Sequence, residues 1–260
     1  MTSRAPRDAD APLTFVTSRL LDRHGLPHLF STRHCPGIAR PTELRPPLGP
    51  DSRPVLAARG MAGEPAFARQ VHGAAVISVQ RAGFAGHGDA LTTHQTGLPL
   101  CISTADCLPI VLYDPRARRL GAVHAGWRGT VQSVGRAAVL ALTRAGSAPG
   151  DLVVAIGPSI GPCCYEVDAP VIERLEAAFP DGWQTWVTPK GPGKWMLDLW
   201  RANVDQLTAA GVPAERIDLL GLCTGCRPDL LFSYRREGGA GRLVTVAALP
   251  PVAAAAAAGA

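Results

Sequence analysis

An α/β chain, with strands and helices interleaved, is what this sequence predicts, and three stretches carry the prediction. Residues 101–130, CISTADCLPIVLYDPRARRLGAVHAGWRGT, place two apolar runs around a polar turn and then enter a helical pattern. Residues 151–156, DLVVAI, are a short apolar run ahead of a Gly/Pro turn, the signature of a buried strand. Residues 197–210 repeat apolar side chains at helical spacing, Leu197, Trp200, Val204 and Leu207. With 260 residues, 47% of them hydrophobic, the chain is long enough to bury a sizeable core. Residues 14–249 are expected to form one catalytic domain between a disordered leader, 1–13, and an alanine-rich disordered tail, 250–260.

In chain order, residues 14–21 and 28–32 read as short strands or as a strand and a turn. Residues 35–54 hold six prolines and two glycines, which makes them a loop. Residues 55–60 are expected to be helical, and 68–79, ARQVHGAAVISV, to contain a strand beginning near Gln70. Gly86-His87-Gly88-Asp89 is a turn into the next apolar segment. Helices are expected over 130–142 and 168–179, the latter with Pro170 in its first turn and Pro180 just past its end. Residues 183–194 read as a loop, 217–222 as a strand, and 243–249 as the last strand.

Chemistry concentrates in the hairpin of residues 101–130. Pairing Tyr113 with Arg118 closes a four-residue loop over Asp114-Pro115-Arg116-Ala117. That register sets Cys107 opposite His124, with Cβ atoms about 4.5–5.5 Å apart on one face. A thiolate and an imidazole so placed either share one metal ion or form a nucleophile–base pair. His72 is the third side chain that a three-ligand metal site needs. Asp89 either orients one of these histidines or bonds its own turn, and strand alternation points Asp106 to the opposite face. His87, between two glycines, reads as a solvated loop residue. Beyond His124, Gly126 and Gly129 flank Arg128 at the mouth of the helical stretch, a place suited to an anion.

Composition excludes several classes. The net charge of +5 comes almost wholly from arginine and forms no tail, and no basic stripe interleaves with aromatics, so nucleic-acid binding is not expected. Seven cysteines without regular spacing argue against a disulfide framework. The Cys223-x-x-Cys226 pair lacks a second CxxC or CxxH and reads as structural or incidental. The first residues lack a signal-peptide core and no window is apolar enough for a membrane span, which predicts a cytoplasmic protein with reduced thiols.

Several segments resemble one family: Gln70-Val71-His72-Gly73, Gly88-Asp89-Ala90, Thr104-Ala105-Asp106-Cys107-Leu108-Pro109, Val123-His124-Ala125-Gly126-Trp127-Arg128-Gly129-Thr130, Gly157-Pro158-Ser159-Ile160-Gly161-Pro162-Cys163-Cys164-Tyr165 and Phe232-Ser233-Tyr234-Arg235-Arg236. Together they resemble the YfiH-type family, whose members have been labelled laccase-domain or polyphenol oxidase proteins, purine nucleoside phosphorylases and peptidoglycan editing factors. The resemblance implies an α/β fold similar to the catalytic domain of cytotoxic necrotizing factors, a single domain of mixed sheets with flanking helices. It also implies a mononuclear zinc, with copper less favoured, held by two histidines and a cysteine, which here are His72, Cys107 and His124.

The implied activity is phosphorolysis of adenosine, inosine and methylthioadenosine, with deamination of adenosine. Arg128 joins the three ligands as a catalytic candidate, and Gln70, Arg128, Gly129 and Thr130 are the expected substrate contacts. The implied partners are a purine nucleoside and phosphate, with no nucleic acid or membrane, and the chain is expected to be a monomer or small homo-oligomer. A cytoplasmic cysteine amidase editing peptidoglycan precursors, with Cys107 as nucleophile and His124 as base, is the first alternative. A copper phenol oxidase and a non-enzymatic binding module are the others. The chain departs from the family after Arg33, where His34-Cys35-Pro36-Gly37 opens a proline-rich loop in place of a glycine-rich stretch with an Asn-Leu turn.

Overall fold

The runs at 100–104, 108–114, 119–125, 153–156 and 243–247 are buried along almost their whole length, so the fold covers both of their faces. The structure, a computed structural model, describes residues 12–251. Residues 1–11 and 252–260, which hold most of the expected leader and tail, lie outside the described residues.

In chain order the strands are β1 (Phe15–Val16), β2 (His28–Ser31), β3 (Ala66–Arg69), β4 (Val76–Ser78), β5 (Gly83–His87), β6 (Ala90–Thr93), β7 (Leu100–Thr104), β8 (Leu108–Asp114) and β9 (Arg119–Ala125). They continue as β10 (Val153–Ile156), β11 (Glu166–Asp168), β12 (Val187–Gly191), β13 (Lys194–Leu197), β14 (Ile217–Leu219) and β15 (Leu243–Ala247). The helices are α1 (Arg19–Arg23), α2 (Arg53–Ala58), α3 (Trp127–Val131), α4 (Val134–Arg144), α5 (Ala169–Ala178), α6 (Leu199–Ala209) and α7 (Tyr234–Glu237).

One six-stranded sheet has the order β1-β2-β15-β7-β3-β5, the other β14-β10-β8-β9-β6-β4, and β11-β13-β12 form a small third sheet. Both large sheets are mixed: β3 runs parallel to β5 and β7, and β10 parallel to β14, among antiparallel neighbours. The two sheets share a core in which Phe30, Leu100, Ile102 and Ala247 of the first meet Val111, Leu120, Ala122 and Val153 of the second. The other face of the second sheet, Leu108, Ile110, Leu112, Val123 and Val154, is covered by Val139 and Leu142 of α4, Leu175 of α5 and Leu207 of α6. Residues 108–113 therefore read as a continuous apolar run because each face of β8 meets a different layer.

Several expectations are corrected by local chemistry. The stretch 14–21 is a strand only at β1, because the Ser18 hydroxyl accepts the Leu21 amide and starts α1. Residues 70–75 are a loop between β3 and β4, not the start of a strand. The expected helix over 130–142 begins earlier and is split, since Ser133 at φ +57 breaks the chain between α3 and α4. Residues 183–194 are not a loop: a 3₁₀ turn at Trp183–Trp186 leads into β12, which pairs with β13.

The hairpin register also differs from expectation. Asp114 pairs with Arg119 and Pro109 with His124, so the register is shifted by two residues. The Asp114 carboxylate accepts the amides of Arg116 and Ala117, an Asx turn that moves the loop to residues 115–118 with Arg118 at φ +51. Because the shift is even, every side chain keeps its face.

Gly157, just beyond β10, packs where a Cβ would lie 2.2 Å from the Phe30 ring. Gly157→Ala is expected to destabilise the fold by about 1–3 kcal/mol through overpacking, read as a lower urea midpoint at unchanged slope.

Candidate metal centre

Two aspartates bring the three expected ligands together. Asp89, in the turn before β6, is 1% exposed. Its carboxylate accepts the amides of Val71 at 3.2 Å, His72 at 2.9 Å and Gly73 at 2.7 Å, and meets His124 Nδ1 at 2.8 Å. These bonds hold the 70–75 loop in place with His72 at φ +60. Of the two roles open to Asp89 in the sequence, orienting a histidine is the one the structure gives it. With Nδ1 of His124 taken, Nε2 is the nitrogen left to bind a ligand.

Asp106 performs the matching task for Cys107. It has left strand geometry at φ +89, so the alternation argument does not apply to it. Its carboxylate accepts the Thr224 hydroxyl at 2.6 Å and the Arg235 amide at 2.7 Å, and its carbonyl accepts the Ile160 amide at 2.8 Å. Cys107 follows directly. The donor atoms of His72, Cys107 and His124 all lie within 4.8 Å of one another, and the two imidazole rings cross at 77° with centroids 4.9 Å apart. The backbone leaves no slack: a Cβ on Gly126 would lie 2.7 Å from Cys107 Sγ and 3.2 Å from His72 Cδ2.

The electrostatics separate charge across the pair. Burial raises the Cys107 thiol, but the neighbouring His124 charge and hydrogen bonds from both histidines outweigh it, and its pKa is brought down to about 6. Burial lowers that of His124, yet the Cys107 and Asp89 charges lift it to about 9. Without metal the pair is thus a thiolate and an imidazolium at neutral pH. The donor set fits a catalytic zinc: three protein ligands of Cys and His type, one imidazole fixed by a carboxylate, and an exposed edge at His72.

The remaining candidates divide. Arg128 is exposed, with its guanidinium 4.4 Å from the Trp127 ring centroid. Gln70 has both ends of its amide bound to the backbone of Ser103, so it braces the loop against β7 instead of offering a free end. Thr130 is fully buried; its amide closes a helical bond to Gly126 and its hydroxyl accepts Asn203 of α6. Its amide is therefore not available to an anion. Gly129 is also buried, 3.3 Å in Cβ terms from the Gly73 carbonyl, and serves the close approach of α3 to the His72 loop. His87 faces Glu43 on the surface.

Residues that sequence reasoning did not place in the site also converge on it. The Tyr165 hydroxyl is pushed up by burial and by the negative charge of Cys107, and Arg235 stacks 5.1 Å from its ring centroid. Arg242 senses the Cys107 charge as well, although burial lowers its own pKa. The signal for Tyr165 and Arg235 was their presence in the motifs at 157–165 and 232–236; no local pattern marked Arg242.

Residues 51–250 match the family described as multi-copper polyphenol oxidoreductase laccase. The chain belongs to this family. Among relatives in it, the Geobacillus stearothermophilus protein named purine nucleoside phosphorylase YlmD is 41% identical over 182 residues, 65% of this chain and 66% of its own length. Its crystal structure superposes with a TM-score of 0.77 at 32% identity, covering 87% of this chain and 93% of that one. A Deinococcus radiodurans protein named purine nucleoside phosphorylase is 38% identical over 237 residues, covering 86% of this chain and 90% of the relative. A protein of an unknown prokaryote named adenosine deaminase RL5 is 40% identical over 150 residues, 58% of this chain and 57% of that protein. The sequence match thus spans less than two thirds of the YlmD and RL5 relatives.

Three outcomes test this site. In metal-stripped protein, Cys107 alkylation should be half-maximal near pH 6, not near the ordinary thiol value of 9.0. Asp89→Asn should move that midpoint upward, because a weaker imidazolium at His124 stabilises the thiolate less. Gly126→Ala should weaken metal binding by at least about tenfold, on the scale of orienting-contact losses, as measured by metal retention during dialysis.

Proposed function

We propose that the chain is a zinc-dependent purine nucleoside phosphorylase that also deaminates adenosine. The observation that carries this reading is the three-donor set of His72, Cys107 and His124, open to solvent at His72, with arginines 128, 235 and 242 adding positive charge around Tyr165 and Cys107. The names carried by its relatives support the same substrate class.

In phosphorolysis a phosphate oxygen bonds to ribose C1′ as the C1′–N bond breaks and the base leaves with the electron pair. Arg128 and Arg235 supply charge for a phosphate dianion. Tyr165, kept protonated, donates a hydrogen bond at neutral pH, and Asp89 holds the proton on His124 Nδ1. When bound, zinc supplies Lewis acidity, polarising a substrate oxygen or lowering the pKa of a water toward about 7.

The donor set favours zinc over multicopper oxidation. Among the described residues, His28 is locked between the Ser18 amide and the Leu26 carbonyl, His34 meets Asp229, His87 meets Glu43 and His94 meets Gln95. None of them joins a second imidazole cluster. A second reading rests on the thiolate–imidazolium pair, which suits a cysteine amidase with Cys107 as nucleophile.

Adenosine and inosine, incubated with and without phosphate, decide between them. The expected result is phosphate-dependent release of adenine or hypoxanthine, reduced at least about 100-fold, or roughly 2.7 kcal/mol, in Cys107→Ala and in His124→Ala. Arg128→Ala should raise the KM for phosphate about tenfold or more, as loss of a charged hydrogen bond of about 1.5–3 kcal/mol implies. Full activity in either ligand variant overturns the proposal, and activity on a peptide amide that survives chelation, with Cys107 trapped by an electrophile, selects the amidase.

A further inference from the structure

We propose that Cys163, Cys164, Cys223 and Cys226 form a second metal centre, a closed tetrathiolate site for a zinc-class ion, separate from the His72, Cys107 and His124 set. The CxxC that lacked a partner in the sequence finds one in the adjacent cysteines of the turn after β10. All four Sγ atoms lie within 4.8 Å of one another, with Cys226 Sγ 3.4 Å from that of Cys163 and 3.5 Å from that of Cys164. Zinc–sulfur bonds of about 2.3 Å in a tetrahedron require sulfur–sulfur separations of about 3.8 Å, inside that range. All four are free thiols.

The surrounding backbone is shaped for such a cluster. Both halves are tight turns: Cys164 and Tyr165 donate their amides to the Gly161 carbonyl, and Cys226 and Arg227 donate theirs to the Cys223 carbonyl. The Gly161 amide points at Cys223 Sγ at 3.2 Å, an N–H contact that stabilises a thiolate. A Cβ on Gly225 would lie 2.8 Å from Cys164 Cβ and 2.9 Å from its Sγ, so only glycine lets the turns close to this distance. Among the described residues no basic side chain is bound to the cluster; Arg227, next in the chain, is turned into a bidentate pair with Asp229. With no cationic side chain to balance them, four thiolates form here only around a cation from solution, and sulfur ligands of this number and geometry select zinc over oxygen-seeking ions.

An ion here would staple two distant loops beside the first site. Those loops already touch through the Ser159 and Cys223 bridge and the Thr224 amide on the Ser159 carbonyl. They supply the Ile160 amide and Thr224 hydroxyl that hold Asp106, the residue before Cys107.

Metal counting on the full chain, purified under reducing conditions with zinc, tests the proposal. About two zinc ions per chain are expected, one for each site. Cys163→Ser/Cys226→Ser should lose one and retain the other, and His72→Ala/Cys107→Ala should show the reverse loss. Should the serine variant fail to fold, cobalt titration of His72→Ala/Cys107→Ala still reads the cluster, which should give the intense near-ultraviolet charge-transfer absorption of a tetrathiolate. A single zinc per chain that Cys163→Ser/Cys226→Ser does not remove overturns the proposal. So does an intact mass showing that these cysteines pair as disulfides, or a cobalt spectrum without thiolate charge transfer.

Discussion

One buried carboxylate, that of Asp89, organises the candidate site. A carboxylate taken out of water is stable only when its lone pairs are satisfied, and this one is satisfied by three consecutive amides of the His72 loop and by the ring of His124. The placement follows from the sheet. Ala90, the next residue, pairs with Val76 on one side and Val123 on the other. The strand after the His72 loop and the strand that carries His124 are thus neighbours of the same β6, and Asp89 stands between their ends. Register and ligand geometry are one construction.

The opposite wall is built the same way from a different part of the chain. Asp106 is held at a backbone angle that few non-glycine residues adopt, which costs of order 1–3 kcal/mol. Contacts from residues 160, 224 and 235 stabilise it there. The reward is direction, since Cys107 leaves the strand path and turns toward His124. Each ligand is therefore aimed by an aspartate whose own partners come from far along the chain.

Much of this was legible in the residues. The apolar run at 108–113, the strand of Val153–Ile156 and the helices α5 and α6 follow from periodicity and proline placement. The hairpin register points to a meeting of Cys107 and His124 but is off by two residues: His124 pairs with Pro109, and Cys107, just outside β8, is brought to His124 by the turn at Asp106. What was not legible depends on contacts that no local pattern encodes. The carboxylate of Asp89 turns residues 70–75 from strand to loop, and Asn203 and Gln206 of α6 consume the polar groups of Thr130. The CxxC at 223–226 looked incomplete because its complement lies some sixty residues earlier and carries no spacing signal.

The strand order has a consequence for folding. In the first sheet β2 has two neighbours, β1 and β15, and β15 is the bridge to β7. Without residues 243–247, β1 and β2 lack the strand that ties them to the rest of the first sheet, and a two-stranded pair alone is marginal in water. The second sheet draws its strands from residues 76–219 and can close sooner. Closing the first sheet therefore needs β2, near the start of the described residues, to meet β15, near their end, a contact of high sequence separation that slows folding.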